Sequence, residues 1–209
     1  MDQDGTPRSL TERRKAATQL DIARAAAELF ADKGPDATTA EEIAGRAGVA
    51  LRTFYRYFRN KQDAVGPLLS TGGDRWRALL AETDPDMGLA RALESAAVAS
   101  LSAGDGTAEE GLRWTRGLLR AAQDDPALRA VWCQVNADSE EKLLPVLGRL
   151  AGPDADPLEI RLVAAAATSA IRVSLEAWAT TEPTESPAEL VVRCLRELTG
   201  GLSLLASQR

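Results

Sequence analysis

The sequence predicts an all-α protein, and three observations support this prediction. Apolar residues recur at i, i+3, i+4 and i+7 through much of the chain, which is the spacing of one helix face. Capping sequences such as Ser9-Leu10-Thr11-Glu12 precede apolar segments. No segment alternates apolar and polar residues as a half-buried strand does. We expect a three-helix domain over residues 1–64 and a larger helical domain over residues 65–209.

The first predicted helix follows a short arm. Residues 1–8 are rich in Asp, Gly and Pro and are expected to be disordered. The capping box at Ser9 begins a long helix that ends near Lys33, because Gly34-Pro35 follows. Its buried stripe consists of Ile22, Ala26, Leu29 and Phe30.

Residues 38–58 predict two short helices joined by a glycine turn. Either Thr38 or Thr39 can cap the first helix, because each is followed three residues later by a glutamate. Gly48 is expected to end that helix in the left-handed conformation. The second helix has an inner pair, Phe54 and Phe58, and an outer stripe at i, i+3, i+4 and i+7 that consists of Arg52, Tyr55, Arg56 and Arg59.

Cations are concentrated on this second helix. Residues 43–62 contain five Lys or Arg and no Asp or Glu, although the net charge of the chain is −6. Residues 1–63 carry 11 Lys+Arg and 10 Asp+Glu, and the remainder carries 14 and 21, which together give 25 and 31. Guanidinium and phenol groups on one helix face suit phosphates and base edges. We therefore interpret residues 38–58 as a helix-turn-helix whose second helix enters the major groove of double-stranded DNA.

A family resemblance rests on the same residues. The order Thr-Thr-x-x-x-Ile-Ala-x-x-Ala-Gly-Val-x-x-x-Thr-Phe-Tyr-x-Tyr-Phe-x-Asn-Lys resembles the signature of the tetracycline-repressor (TetR) family of bacterial transcription regulators. The resemblance covers about residues 20–68 and implies base contacts from Leu51 and Arg52. It also implies contacts to the DNA backbone from Thr39, Thr53, Tyr55, Tyr57 and Lys61. The outer stripe adds Arg56 to these DNA-binding candidates.

Two further features concern DNA binding. Position 50 is Ala where the family usually has a capping Ser or Thr, which costs about 1 kcal/mol of local stability. We therefore expect the second helix to fray without DNA. The cations Arg13, Arg14 and Lys15 are interpreted first as a solvated helix end, with contact to the DNA backbone as the alternative.

The rest of the chain predicts helices separated by Pro, Gly and Asp. Asn60 is expected to cap a helix from about Lys61, with a break or kink at Gly72-Gly73. Pro145 is expected to bend one of the later helices. Those helices are predicted at about residues 86–101, 108–123, 126–150, 157–179 and 189–205.

Of the last two predicted helices, the one at about residues 157–179 is apolar on two faces, and the one at about residues 189–205 adds further apolar residues. A helix that is apolar on two faces is either buried or paired with a partner outside its domain. The family resemblance implies that they form a four-helix interface in a homodimer. A twofold dimer would present two reading helices about 34–36 Å apart, or more, to a palindromic operator. The expected interface residues are Ala166, Ala170, Val173, Leu195, Leu198 and Leu202.

The family resemblance also implies an effector cavity in the larger domain. All four tryptophans lie beyond the helix-turn-helix. The expected lining is Met87, Trp114, Trp132, Cys133 and Asn136, although each of these residues alone fits an ordinary core position as well. A largely apolar, planar or aromatic effector is expected, because only Arg113, Arg116 and Arg172 are available to bind a strongly acidic one.

Composition limits the other functions. The absence of His removes the commonest general base, which leaves only a carboxylate- or lysine-based enzyme as the third hypothesis. The spacing of the two cysteines predicts no metal site, and no motif predicts a cofactor. No apolar run is long enough to cross a membrane, and we expect a cytoplasmic protein. The first hypothesis is a homodimeric repressor released from its operator by a small molecule. The second is a regulator with the same helix-turn-helix domain whose larger domain binds a protein partner or no ligand.

Overall fold

The computed structural model describes residues 9–102, 106–182 and 185–200. The all-α prediction is confirmed, since these residues form helices and contain no strand. Among them, no helix is long and apolar enough to cross a membrane. The chain divides into two compact units, Met1–Leu68 and Leu69–Arg209. The α-helices are α1 Leu10–Lys33, α2 Ala40–Arg46, α3 Leu51–Tyr57, α4 Gly66–Ala81, α5 Leu89–Leu101, α6 Thr107–Ala121, α7 Pro126–Ala151, α8 Pro157–Thr180 and α9 Pro187–Gly200.

The first unit is built on α1. The predicted capping box begins this helix, because the Ser9 hydroxyl accepts from the Glu12 amide at 3.2 Å and the Glu12 carboxylate accepts from the Ser9 amide at 2.8 Å. α1 packs against α2 and against a 3₁₀ turn at Asp63–Val65, and α2 packs against α3. The core between these elements contains Ile22, Ala26, Phe30, Ile43, Phe54 and Val65.

The turn between α2 and α3 follows the sequence prediction. Gly48 adopts a left-handed φ of 67°, and the Val49 amide donates to the Ala44 carbonyl at 2.9 Å. Of the two candidate caps, Thr39 is the N-cap of α2. Thr38 is instead buried, and its hydroxyl donates to the carbonyls of Leu29 and Gly34 at 3.3 and 2.8 Å.

Three helix boundaries after α2 differ from the prediction. α3 ends at Tyr57, so Arg59 lies beyond it rather than on its outer stripe. No α-helix begins at Lys61. The Asn60 side-chain oxygen instead accepts from the Asp63 amide at 2.7 Å, at the start of the 3₁₀ turn whose N-cap is Gln62, and α4 follows this turn. Of the predicted break or kink at Gly72-Gly73, the break is wrong, since α4 runs through both glycines. A Cβ at Gly73 would lie 3.2 Å from the Ser139 Oγ, so this glycine lets α4 approach α7 closely.

The second unit places α8 among α6, α7 and α9, while α5 packs against α9. α6, α7 and α8 lie within two residues of the predicted bounds, and α7 continues through Pro145. α9 ends the described chain at Gly200, so its predicted extension to residue 205 lies outside the described residues. Buried side chains from these helices form one core, which includes Trp76, Leu80, Leu93, Leu143, Leu147, Ala164, Ala167, Ala170, Val191 and Leu195.

Candidate nucleic-acid interface

The inner face of α3 fixes the orientation of the helix. Phe54 is fully buried and Phe58 nearly so. Their ring centroids lie 5.6 Å apart, and the Tyr55 ring meets the Phe54 ring edge-on at 5.3 Å. Because the two phenylalanines are anchored in the core of the first unit, the opposite face of α3 faces solvent.

That solvent face carries Arg52, Tyr55 and Arg56, which we call the reading face. All three side chains are exposed, Tyr55 by 54%. The Arg52 side chain has no hydrogen-bond or ion-pair partner within the described part of the chain. The Arg56 guanidinium donates to the Tyr57 hydroxyl at 3.1 Å and lies 4.8 Å from the centroid of the Tyr57 ring. The reading face therefore presents two guanidinium groups that no carboxylate of the described residues neutralises.

The other cations of this region are already engaged. Arg46 pairs with Glu28 of α1 at 3.0 Å, and Arg59 pairs with Asp63 at 2.8 Å. The Lys61 ammonium donates to the backbone carbonyls of Asp36 and Thr38. The sequence count of five cations without an acid did not reveal these partners, because Glu28 and Asp63 lie outside residues 43–62.

The N-terminus of α2 holds a second group of polar atoms. The Thr39 hydroxyl accepts from the Glu42 amide at 3.2 Å, and the Thr39 amide donates to the Glu42 carboxylate at 2.8 Å. Lys33 also pairs with Glu42. The hydrogen bond from Lys33, followed by that from the Thr39 amide, lowers the pKa of Glu42 to about 2. Glu42 therefore stays ionised at neutral pH and holds Thr39 exposed at the start of α2.

The remaining sequence candidates lie at the edge of the reading face. Leu51 and Thr53 in the first turn of α3 and Tyr57 in its last turn are half-buried, as is Lys61. The first unit thus brings the eight DNA-binding candidates onto α2, α3 and the turn that follows α3. Guanidinium forks and hydroxyl groups on such elements donate to phosphate oxygens and to guanine edges.

Two family models match the chain. The model of the tetR family of bacterial regulatory proteins matches residues 22–65. The model of the MftR C-terminal domain matches residues 87–203, more than half of the 209 residues. The chain belongs to the tetR family. This membership confirms the family resemblance and places the protein among regulatory proteins rather than enzymes.

Curated relatives of this TetR-family chain are helix-turn-helix regulators. A transcriptional repressor of Mycobacterium tuberculosis is 36% identical over 94 residues, which cover 43% of this chain and 50% of that protein. The regulator YvkB of Bacillus subtilis is 40% identical over 70 residues, which cover 34% of this chain and 37% of YvkB. The chain thus spans about half the length, or less, of the curated relatives it matches.

Solved TetR-family structures share the fold over most of their length. A regulator from Mesorhizobium loti is 25% identical with a TM-score of 0.53, over 91% of this chain and 98% of that one. The repressor FadR of Thermus thermophilus, solved in complex with lauroyl-CoA, is 25% identical with a TM-score of 0.53, over 88% and 94%. These similarities confirm a larger helical domain that follows the helix-turn-helix.

The five expected pocket residues of this TetR-family chain have different surroundings. Trp132 is buried, and its indole N–H donates to the Glu176 carboxylate at 2.8 Å. The half-buried Asn136 amide donates to the Trp132 carbonyl at 2.8 Å. The half-buried Trp114 donates to Glu110, whereas Met87 and Cys133 are exposed.

Sequence reasoning missed one buried polar group of the second unit. The hydroxyl of Thr168 on α8 has no hydrogen-bond partner among the described residues, although the side chain is 6% exposed. No group of three or more His, Cys, Asp or Glu in the described residues is arranged to hold a metal ion.

The expected interface residues divide into two groups. Ala170 and Leu195 are buried in the core of the chain itself, so they are not available to a partner, and Ala166 is half-buried. Val173 and Leu198 are exposed by 48% and 39%. Leu202 lies outside the described residues. Two leucines on α8 that were not among the expected interface residues are more exposed, Leu158 by 71% and Leu162 by 68%.

Proposed function

We propose that the protein is a homodimeric, DNA-binding transcription regulator that represses from a palindromic operator and leaves it when a small apolar effector binds. The observation that carries the proposal is the reading face. Arg52 and Arg56 project from a helix whose opposite side is anchored by Phe54 and Phe58. A helix that presents two guanidinium groups without a carboxylate partner fits the major groove, where arginine donates to both guanine edges and phosphates.

The proposed division of roles follows the placement of each residue. Leu51 and Arg52, in the first turn of α3, contact base edges. Phosphate contacts come from Thr39 and Tyr55, together with Thr53, Arg56 and Tyr57. The cations Arg13, Arg14 and Lys15 on the first turns of α1 are exposed and have no side-chain partner among the described residues, which supports contact with the DNA backbone.

The proposed dimer uses the exposed apolar stripe of α8. Leu158, Leu162 and Val173, with the half-buried Ala166, recur at the spacing of one helix face. Large apolar side chains exposed in a row are unusual on a monomer surface. A second copy that presents the same stripe would bury them and place two reading faces on the two halves of a palindrome.

The proposed effector binds in the second unit. The buried Thr168 hydroxyl supports this, because a buried polar group without a partner is rare and a ligand can supply one. The lauroyl-CoA complex of the 25% identical FadR makes a molecule with an acyl chain the first class to test. Repression itself is supported by FadR and the mycobacterial relative, since both are named as transcriptional repressors.

A second candidate function keeps the DNA reader but binds no small molecule. One observation supports this second candidate. The indole of Trp132 and the side-chain amide of Asn136 already have hydrogen-bond partners inside the chain. A thermal-shift panel of acyl-CoA, aromatic and other apolar metabolites separates the two functions, since a ligand raises the melting temperature by mass action. A panel without any shift would favour the second candidate.

Selection of bound duplexes from random DNA tests the proposal directly. The expected result is a palindromic sequence. Arg52→Ala should weaken binding to it by about tenfold or more and relax the base preference at one position in each half-site. Tyr55→Phe should weaken binding only slightly and leave the base preference unchanged. Arg91→Ala, which removes an exposed arginine from the second unit, is the matched control. Unchanged affinity and preference in Arg52→Ala would exclude the proposed reading face.

The dimer is tested with Leu162→Glu. A carboxylate in the centre of an apolar interface leaves a buried charge without a partner, so the variant should be monomeric by light scattering. Leu10→Glu, at an exposed leucine of α1, should keep the oligomeric state of the wild type. A dimeric Leu162→Glu protein would show that this stripe of α8 is not the interface.

A further inference from the structure

Lys61 lies in the segment that follows α3, and its ammonium contacts the segment that precedes α2. The Nζ atom donates to the Thr38 carbonyl at 2.9 Å and to the Asp36 carbonyl at 3.3 Å. An ammonium has three N–H donors, so these two bonds occupy most of its capacity. The side chain is half-buried, unlike the exposed arginines of the reading face.

The acceptors of Lys61 are themselves fixed in place. Thr38 is 1% exposed, and its hydroxyl donates to two carbonyls at the end of α1. The next residue, Thr39, is the N-cap of α2 and is held by Glu42. A shift of the Thr38 carbonyl would therefore move the N-terminus of α2 relative to the end of α3.

We propose that Lys61 is a positioning residue, which joins the end of α3 to the start of α2 and sets the spacing between Thr39 and the reading face. This role replaces the phosphate contact that the family resemblance implies for Lys61, and it rests on the proposed DNA-binding function. Hydrogen bonds from a charged donor are stronger than neutral ones, and a buried carbonyl that loses its donor is costly. Lys61 thus affects DNA binding through α2 rather than by touching DNA.

The dependence of affinity on salt distinguishes the two roles. Each phosphate contact that is lost reduces the slope of log K against log salt concentration by about 0.9. Lys61→Met should lower the affinity of the dimer for the selected operator at least about tenfold, because each protomer loses one charge-assisted hydrogen-bond donor, and should leave the slope unchanged. Lys61→Arg, which keeps the charge and several donors, should restore the affinity. Arg56→Met is the comparison variant, and its slope should fall by about 1.8, because the homodimer loses one phosphate contact in each half-site.

Amide hydrogen exchange of the DNA-free protein supplies an independent measurement. The amides of Glu42 and Ile43 donate to the Thr39 hydroxyl and carbonyl, so their exchange reports on the start of α2. Lys61→Met should accelerate their exchange about tenfold, while Arg56→Met should not. Should Lys61→Met fail to fold, Lys61→Gln, which keeps an N–H donor without the charge, is measured in the same two ways. An unchanged salt slope is expected for it too.

Either of two results would overturn the positioning role. One is a lower salt slope in the uncharged Lys61 variant, which would identify Lys61 as a phosphate ligand. The other is exchange of the Glu42 and Ile43 amides at the wild-type rate in Lys61→Met. The exchange measurement needs no DNA, so its result holds even if the wild-type protein binds no duplex. Failure of the wild-type protein to bind any duplex would refute the proposed function alone.

Discussion

The missing cap of α3 leads to a quantitative prediction. Ala50 is the N-cap residue with φ −68° and ψ 146°, and its side chain makes no capping bond. The backbone amides of Leu51 and Arg52 have no acceptor among the described residues. Ala50 is also exposed and already has the extended conformation of a capping residue, so Ala50→Ser requires no rearrangement.

The expected gain is about 1 kcal/mol, the usual difference between Ser and Ala at an N-cap. This gain corresponds to a factor of about five in the local opening equilibrium. Amide exchange in the DNA-free protein measures that equilibrium at Phe54 and Phe58, whose amides donate to the carbonyls of Ala50 and Phe54 at 3.2 and 3.0 Å. Both amides should exchange about five times more slowly in Ala50→Ser.

Ala17→Ser is the matched control, because Ala17 is exposed in the interior of α1 and the new hydroxyl would meet no free helix end. Exchange in α3 should not change in this variant. The reasoning would be refuted if Ala50→Ser folded normally and its α3 amides exchanged as fast as those of the wild type. In that case the first turn of α3 would be held by its packing and not limited by its missing cap.

Two other predictions concern the first unit. Phe54→Ala should lower the free energy of unfolding by about 3–5 kcal/mol, because it removes a fully buried ring from the core of this unit. A urea titration followed by tyrosine fluorescence should show that the unit unfolds at a lower urea concentration. Alanine at the exposed Tyr55 should leave the urea midpoint nearly unchanged, and an unchanged midpoint in Phe54→Ala would contradict the assigned core. The pKa of Glu42 is lowered to about 2, so its contribution to stability is present above its ordinary pKa near 4.5 and is lost as the pH falls towards 2. Wild-type and Glu42→Gln proteins should therefore differ in α2 amide protection at pH 6 and converge near pH 2, whereas a difference that persists at that pH would exclude this linkage.

The sequence predicted the helix-turn-helix because local rules agree there. The capping boxes at Ser9 and Thr39, the left-handed Gly48 and the buried Phe54 each depend on residues that are close in the chain. Such features need no knowledge of tertiary contacts, so α1, α2 and α3 were predicted well.

Features that depend on distant residues were not predictable. Gly73 was interpreted as a helix break, because the sequence does not show that Ser139 approaches this glycine. Arg46 was counted among the five cations of a stretch without an acid, because its partner Glu28 lies 18 residues earlier. Ala170 and Leu195 were assigned to an interface, although the packing of α8 on α9 buries both within the chain. Apolar periodicity identifies a buried face but not the chain that buries it.

The contact between Arg56 and Tyr57 makes the two arginines of the reading face unequal. Arg56 is held over an aromatic ring and by a hydroxyl group, so much of its rotational freedom is lost before any partner arrives. Arg52 retains its freedom and must lose it on association, at a cost of about 0.5–1.5 kcal/mol. The same freedom lets the Arg52 side chain follow small differences between half-sites, while Arg56 offers a fixed point of reference. The helix α3 thus carries one arginine, Arg56, whose side chain is already held in place, and one, Arg52, whose side chain can adjust to its partner.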